Sequence, residues 1–196
     1  IWIPNNSLMK AAGVTDSRAE ALTYLKHVTR GMVADEMLET YVDAGPEMLE
    51  YMLAKTHLRM ECMLTYMDYY AEAPGGKPGG RSLEASHFDG ARLGEEFERM
   101  SMTATEAHHL LARHPGWVKL TTKIMTRYWL DFRWRMRTKR DRTLSLGNAL
   151  IAPLRLSMME RNIPLWLETG VDSLIAEGDT IVGVEGTQRG RKLRIR

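Results

Sequence analysis

Apolar positions recur at helical spacing through the first part of the chain. Leu22, Leu25 and Val28 follow the capping-box pattern Ser17-x-x-Glu20 and stop at Gly31, which predicts a helix there. Met37, Leu38, Tyr41 and Val42 form a second stripe, ended by Asp43-Ala44-Gly45. Met48, Leu49, Met52 and Leu53 form a third behind Pro46, a residue tolerated in a first helical turn. Three short helices in one packed layer are therefore expected. Residues 58–64 alternate less cleanly and read as a strand. The run Ala73-Pro74-Gly75-Gly76-Lys77-Pro78-Gly79-Gly80-Arg81 breaks both periods, so 73–94 reads as a long surface or cleft-lining loop. Thr103-x-x-Glu106 caps a further helix. Beyond Pro115-Gly116, Ile124, Met125, Tyr128, Trp129 and Phe132 mark the longest expected helical stretch. Leu150, Leu154 and Met158 mark a helix over 147–162 that Pro153 should bend. The period then shortens, and 163–167, 171–175, 181–184 and 193–195 read as strands.

This order predicts a mainly helical α+β fold with a C-terminal antiparallel meander of three or four strands. Residues 1–146 form the helical segment and 147–196 a helix plus the meander, together one compact fragment. With 196 residues, 44% hydrophobic and 27% charged, the chain can bury a real core, which excludes a disordered tail. No apolar run reaches the roughly 20 residues that span a bilayer. Cys62 alone cannot build a disulfide framework, so a reducing, cytoplasmic compartment is expected. Fourteen Met against three Phe predict a soft, adaptable core. The opening Ile1-Trp2-Ile3-Pro4 has no initiator Met and no basic n-region, and the alternation of residues 192–196 runs to the last residue. An internal segment of a longer chain is the expectation.

Few constellations carry chemistry. The glycine-rich run lacks both the GxxxxGK[ST] spacing and a GxGxxG turn, so it does not read as a phosphate cradle. Arg133, Arg135, Arg137, Lys139, Arg140 and Arg142 follow the aromatic stripe. A net charge of +2 gives no strong argument for nucleic acid, and the aromatics read as a buried stripe with the arginines as its solvated flank. His108, His109 and His114 lack the i, i+4 spacing of a zinc site. Cys62 reads as an inert buried thiol, and the Asn5-Asn6-Ser7 sequon is discarded for want of any other sign of secretion. Tyr66, Asp68, Tyr69 and Tyr70 stand out. Phenols join an apolar ring to a polar tip and can orient a flat apolar substrate or relay a proton; packing at a strand end is the plainer alternative.

Asp68-Tyr69-Tyr70-Ala71-Glu72-Ala73-Pro74-Gly75-Gly76, continuing to Gly80-Arg81-Ser82-Leu83-Glu84, resembles a stretch of FAD-dependent 3-ketosteroid Δ1-dehydrogenases, in the fumarate reductase/succinate dehydrogenase flavoprotein superfamily. Trp2-Ile3-Pro4-Asn5-Asn6, Gly147-Asn148-Ala149-Leu150 and Thr169-Gly170-Val171-Asp172-Ser173-Leu174-Ile175 are similar to family segments in the same order. The resemblance implies part of a larger FAD-binding domain. It implies a phenol at Tyr69 that supports the general base, an aromatic at Tyr66 lining the steroid pocket, Trp2 near the flavin ring and the Val171 backbone near the adenine. It also implies proton removal α to a ketone coupled to hydride transfer to flavin, with a ketosteroid or related small molecule as substrate. The GxGxxG fingerprint is absent, and the family's base and carbonyl-polarising tyrosines match nothing before Arg196. The segment alone is thus expected to be inactive, to hold no FAD or metal, and to need the remaining segments of its parent. The rival readings are a fumarate-reductase-like or ketosteroid Δ4-type flavoprotein, and a non-catalytic helical interaction module.

Overall fold

The computed structural model describes residues 1–101 and 117–196; Thr103-x-x-Glu106, His108, His109 and His114 lie outside them. The chain divides into two compact units, Ile1–Ser157 and Met158–Arg196. In the first, α1 (Ser7–Ala11) starts where the buried Asn6 Oδ1 accepts from the Met9 N–H at 2.9 Å. Helix α2 (Arg18–Thr29) starts at the expected cap, with Ser17 Oγ accepting from the Glu20 N–H at 3.2 Å.

The second and third expected helices are one. Helix α3 runs Asp35–Lys55 with Pro46 inside it. A proline there forfeits a backbone hydrogen bond, but continuity keeps Leu38, Val42 and Leu49 on one buried side. Leu38 and Val42 pack with Ala21 and Leu22, whereas Leu49 joins Ile3, Leu58, Met60, Leu83, Ala85 and Ala149. One helix thus braces two apolar clusters, and breaking it at Gly45 would uncouple them.

Strand β1 (Met60–Cys62) pairs antiparallel with β2 (Leu83–Ala85), Met60 opposite Ala85 and Cys62 opposite Leu83. The other edge of β2 takes the first residues of the chain: the Ile3 N–H donates to Arg81 O at 2.8 Å and the Leu83 N–H to Ile1 O at 2.6 Å. The expected loop over 73–94 therefore ends early. Leu83 and Ala85 alternate inward, β3 (Phe88–Asp89) pairs with β4 (Thr143–Leu144), and 3-10 turns cover Gly90–Arg99 with a kink at Gly94. These pairings join distant segments, and a local pattern does not encode them.

Helix α4 (Trp117–Leu130) is shorter than α3, and Phe132 opens a separate short helix, α5 (Phe132–Arg135). The expected burial of their aromatics fails: Trp129 and Phe132 are 67% and 68% exposed, and Trp134 alone of this group is buried, edge-on to Phe97. The arginines divide as well. Arg140 is no solvated flank, since its guanidinium lies 4.5 Å over the Phe97 ring and donates to the carbonyls of Phe97, Glu98, Met100 and Ser101. Methionine does not dominate the core either: Met9 and Met60 are buried, but Met32, Met37, Met48, Met67, Met125 and Met136 are exposed. Helix α6 (Leu146–Glu160) carries a buried Pro153, whose carbonyl accepts from the Ser157 hydroxyl at 2.7 Å.

In the second unit, β5 (Thr169–Glu177), β6 (Thr180–Gln188) and β7 (Arg191–Ile195) form an antiparallel meander in sequence order. Bulges interrupt the β5–β6 register between Val171 and Ser173 and between Ile175 and Ala176. Residues 163–167 are not a fourth strand. Pro164 has no N–H to give a ladder, and the sheet stops at three.

Candidate functional site

The site grows from one loop, the chain between Met63 and Ser82. Its glycines serve the chain itself. A Cβ at Gly75, Gly76 or Gly79 would collide with the carbonyl oxygens of Glu20, Ala71 or Leu64, so each is glycine because backbone passes against backbone. Close backbone packing accounts for the glycine at each of these three positions.

Charge pins the loop from beneath. The Arg81 guanidinium, fully buried, donates to Asp16 through Nε and Nη2 at 2.8 and 2.7 Å and to Asp68 Oδ2 through Nη1 at 2.9 Å. It also lies 5.4 Å from the Trp2 ring and 5.7 Å from the Tyr24 ring. Asp68 holds the loop a second time, accepting from Trp2 Nε1 at 2.6 Å and from the Lys77 N–H at 3.0 Å. Burial alone raises the Asp16 carboxyl. The Arg81 guanidinium and the Asn5 and Ser17 N–H groups outweigh that, and the carboxyl is held below its ordinary 3.8. Asp16 also sits just ahead of the α2 N-cap, where the helix dipole favours negative charge. Burying three charges is costly unless all are paired and hydrogen-bonded, and here they are.

With Asp68 turned inward, its neighbours turn out. Tyr66, Tyr69 and Tyr70 are exposed, Tyr69 to 88%. All three line a groove of about 780 Å³ whose wall is mostly apolar, with Trp2, Met60, Met63, Leu83 and Leu150 prominent. Trp2 stacks between Tyr24 and Tyr41 at centroid distances of 5.9 and 6.1 Å, and Tyr41 Oη donates to the Trp2 carbonyl. Burial pushes the Tyr24 and Tyr41 phenols up, so both stay protonated as fixed donors or acceptors. Cys62 is half-buried and donates to Gly80 O at 3.3 Å, and burial pushes its thiol up; it is structural.

The structure thus brings three of the sequence candidates, Trp2, Tyr66 and Tyr69, to one groove. Val171 lies in the other unit, exposed on β5 opposite Gly186. The sequence reading missed Arg81 and Asp16. Their one local signal is a charge placed just before an apolar strand and another just before a helix cap; their meeting, 65 residues apart in the chain, is not a local property. A flat, largely apolar ring system with a few polar atoms suits this wall. It would suit the ring part of a flavin or a polycyclic ketone.

The family model for the FAD binding domain matches residues 1–196. The chain is 34% identical to a 3-oxosteroid 1-dehydrogenase of Mycolicibacterium smegmatis, over 94% of this chain and 34% of that protein. It is 32% identical to a 3-oxosteroid 1-dehydrogenase of Comamonas testosteroni, over all of this chain and 36% of that one. The crystal structure of 3-ketosteroid delta1-dehydrogenase from Sterolibacterium denitrificans in complex with 1,4-androstadiene-3,17-dione superimposes with a TM-score of 0.89 at 43% identity, covering all of this chain and 37% of that chain. The chain spans about a third of the length of these relatives.

Proposed function

Since this chain belongs to the FAD binding domain family, we propose that the complete protein is an FAD-dependent dehydrogenase that introduces a C1–C2 double bond into 3-ketosteroids. The observation that carries this reading is the wall of outward phenols, Tyr66, Tyr69 and Tyr70, on an apolar groove. FAD, when bound, supplies the two-electron acceptor. The chain's own residues bind and orient. The Tyr66 ring offers an apolar face to the steroid skeleton, and the Tyr69 hydroxyl hydrogen-bonds the base that takes the proton α to the ketone, holding it in position. The base and the carbonyl-polarising group come from the remaining segments of the parent protein. Trp2, fixed by Asp68 and the two stacked tyrosines, gives a rigid edge for the flavin ring, and the exposed Val171 backbone an edge for the adenine.

On this reading residues 1–146, with the loop over 73–94, form the cleft wall, and 147–196 belong to the cofactor-binding part. The single cysteine supports a reducing, cytoplasmic setting. Among the described residues no helix is long and apolar enough to cross a membrane. The test is Tyr69→Phe in the full-length protein. Turnover of a 3-ketosteroid should fall about 100-fold, within the usual range for a proton-transfer partner, while flavin absorbance stays unchanged. Unaltered turnover removes Tyr69 from the machinery. Loss of flavin with turnover would make its role structural.

A further inference from the structure

The Tyr69 side chain has no hold of its own. It is 88% exposed and makes no hydrogen bond or ring contact with any described residue. Its place in the groove must therefore come from the backbone on either side. On one side Asp68 is fixed: its N–H donates to Lys77 O at 3.0 Å, and its carboxylate is held by Trp2, Lys77 and Arg81. On the other side the peptide joining Tyr69 to Tyr70 carries the Tyr70 N–H, which donates to Tyr24 Oη at 3.3 Å. The Tyr70 carbonyl bonds only within the loop, to the Ala73 N–H at 2.9 Å. Among the described residues, Tyr24 is thus the one side chain from outside the loop that grips this peptide.

Tyr24 is itself rigid. It is buried on α2, its ring stacks on Trp2 at 5.9 Å, and the Arg81 guanidinium lies 5.7 Å from its centre. Burial pushes its phenol up, so the oxygen stays a neutral hydroxyl able to accept. Around it α2 meets the same loop twice more. A Cβ at Gly75 would collide with the Glu20 carbonyl and the Tyr24 amide, and Lys77 Nζ pairs with Glu20 Oε1 at 2.7 Å with its own side chain largely buried. These two contacts hold the loop to the helix. Only the Tyr24 hydroxyl, acting across 46 residues of chain, reaches the peptide that carries Tyr69.

We propose that Tyr24 is a positioning residue for the reaction, holding the Tyr69–Tyr70 peptide so that the Tyr69 phenol keeps its place in the groove. The proposal rests on the dehydrogenase reading of Tyr69. One side chain then sets both walls: the Tyr24 ring fixes the Trp2 edge offered to the flavin, and the Tyr24 hydroxyl fixes the phenol offered to the base. A misplacement of about 1 Å in a reacting group can cost about 100-fold in rate, so a single well-placed acceptor has leverage far beyond its own strength. Its loss frees the peptide on one side only, because Asp68 still holds the other.

The test is Tyr24→Phe, Tyr69→Phe and the double variant in the full-length flavoprotein. Phenylalanine at 24 keeps the ring against Trp2 and removes only the acceptor. With a 3-ketosteroid, kcat should fall about tenfold in Tyr24→Phe, flavin absorbance unchanged, against about 100-fold in Tyr69→Phe. The double variant should match Tyr69→Phe within about twofold, since a peptide that positions a missing hydroxyl has nothing left to position. Independently of turnover, hydrogen exchange in a peptide spanning residues 66–72 should be at least about fivefold faster in the Tyr24→Phe holoenzyme. Losses that multiply in the double variant would show Tyr24 acting on the fold or the flavin rather than through Tyr69, and overturn the proposal. So does unchanged exchange. A loss in Tyr69→Phe with none in Tyr24→Phe overturns the positioning role alone, whereas no loss in Tyr69→Phe overturns the reading of Tyr69 and the positioning role with it.

Discussion

The loop over residues 63–82 and the meander over 169–195 are held together by opposite means. The loop has almost no regular hydrogen bonding and owes its shape to three buried charges and to glycines that let backbone lie on backbone. The meander buries little beyond Ile175 and Gly186 and owes its shape to a repetitive ladder between neighbouring strands. A ladder spreads stability over many equivalent bonds, so single side chains matter little. A charge pin concentrates it at one or two atoms and fixes them tightly. The groove that carries the phenols is built the second way, which suits a surface whose side chains must hold a defined place.

The sharpest way to break that contrast is Arg81→Met. The apolar replacement leaves Asp16 and Asp68 buried without their cation, and the expected cost is about 3–5 kcal/mol in denaturant unfolding. Trp2 and the phenols should loosen with it, visible as lost near-ultraviolet dichroism. A loss under about 1 kcal/mol would mean the pair behaves as a surface bridge and the contrast is wrong. Gly79→Ala comes next. Its Cβ would meet the Leu64 carbonyl, and the loop must shift to admit it, for roughly 2–3 kcal/mol. The glycines of the β5–β6 and β6–β7 turns, Gly178 and Gly190, have open space around them instead, so Ala there meets only the cost of a positive φ, about 1 kcal/mol.

The acid limb of stability gives a third comparison. Asp16 has a folded pKa below its unfolded value near 3.8, so it binds fewer protons folded than unfolded in that range. Its contribution is complete above that value and is lost as pH falls through the lower folded pKa. Asp16→Asn should therefore flatten the dependence of unfolding free energy on pH below 3.8. It should cost less at neutral pH than Arg81→Met, because Asp68 still pairs with Arg81. An acid limb unchanged by the substitution would place the titrating group elsewhere.

The same contrast explains what could be read from the sequence. Ladders and helices follow local periodicity, so the Ser17 cap, the existence of α6 and the three meander strands were all legible, although α6 buries Ala149, Ala152 and Leu156 rather than the expected Leu150, Leu154 and Met158. Pro46 misled because a local rule ends a helix that two distant clusters need kept whole. Residues 83–89 misled because β2 and β3 gain their partners only from chain 20 to 60 residues away. Trp129 and Phe132 misled because helical spacing identifies a stripe without saying what covers it. In the site, the phenols announced themselves by type and density. The pin beneath them did not: Asp68 stood out with the phenols, but Asp16 and Arg81 are ordinary charged letters until the fold brings them to it.

The smallest expected effect tests the other half of the comparison. Arg189 and Glu168 form a well-aligned ion pair at 2.8 Å beside the β6–β7 turn, as short as the contacts of Arg81, but with side chains 73% and 67% exposed. If distance set the worth of an ion pair, removing this one would match the loss at Arg81. If burial sets it, water and salt screen the pair and two long side chains gain nothing net by holding still. Arg189→Ala should then change unfolding free energy by no more than about 0.5 kcal/mol, and by less still in high salt. The backbone bond from the Arg189 N–H to Glu168 O does not involve the side chain and remains in the variant. A loss approaching that of Arg81→Met would show that the meander, too, hangs on individual charges, and the division between ladder and pin would no longer hold.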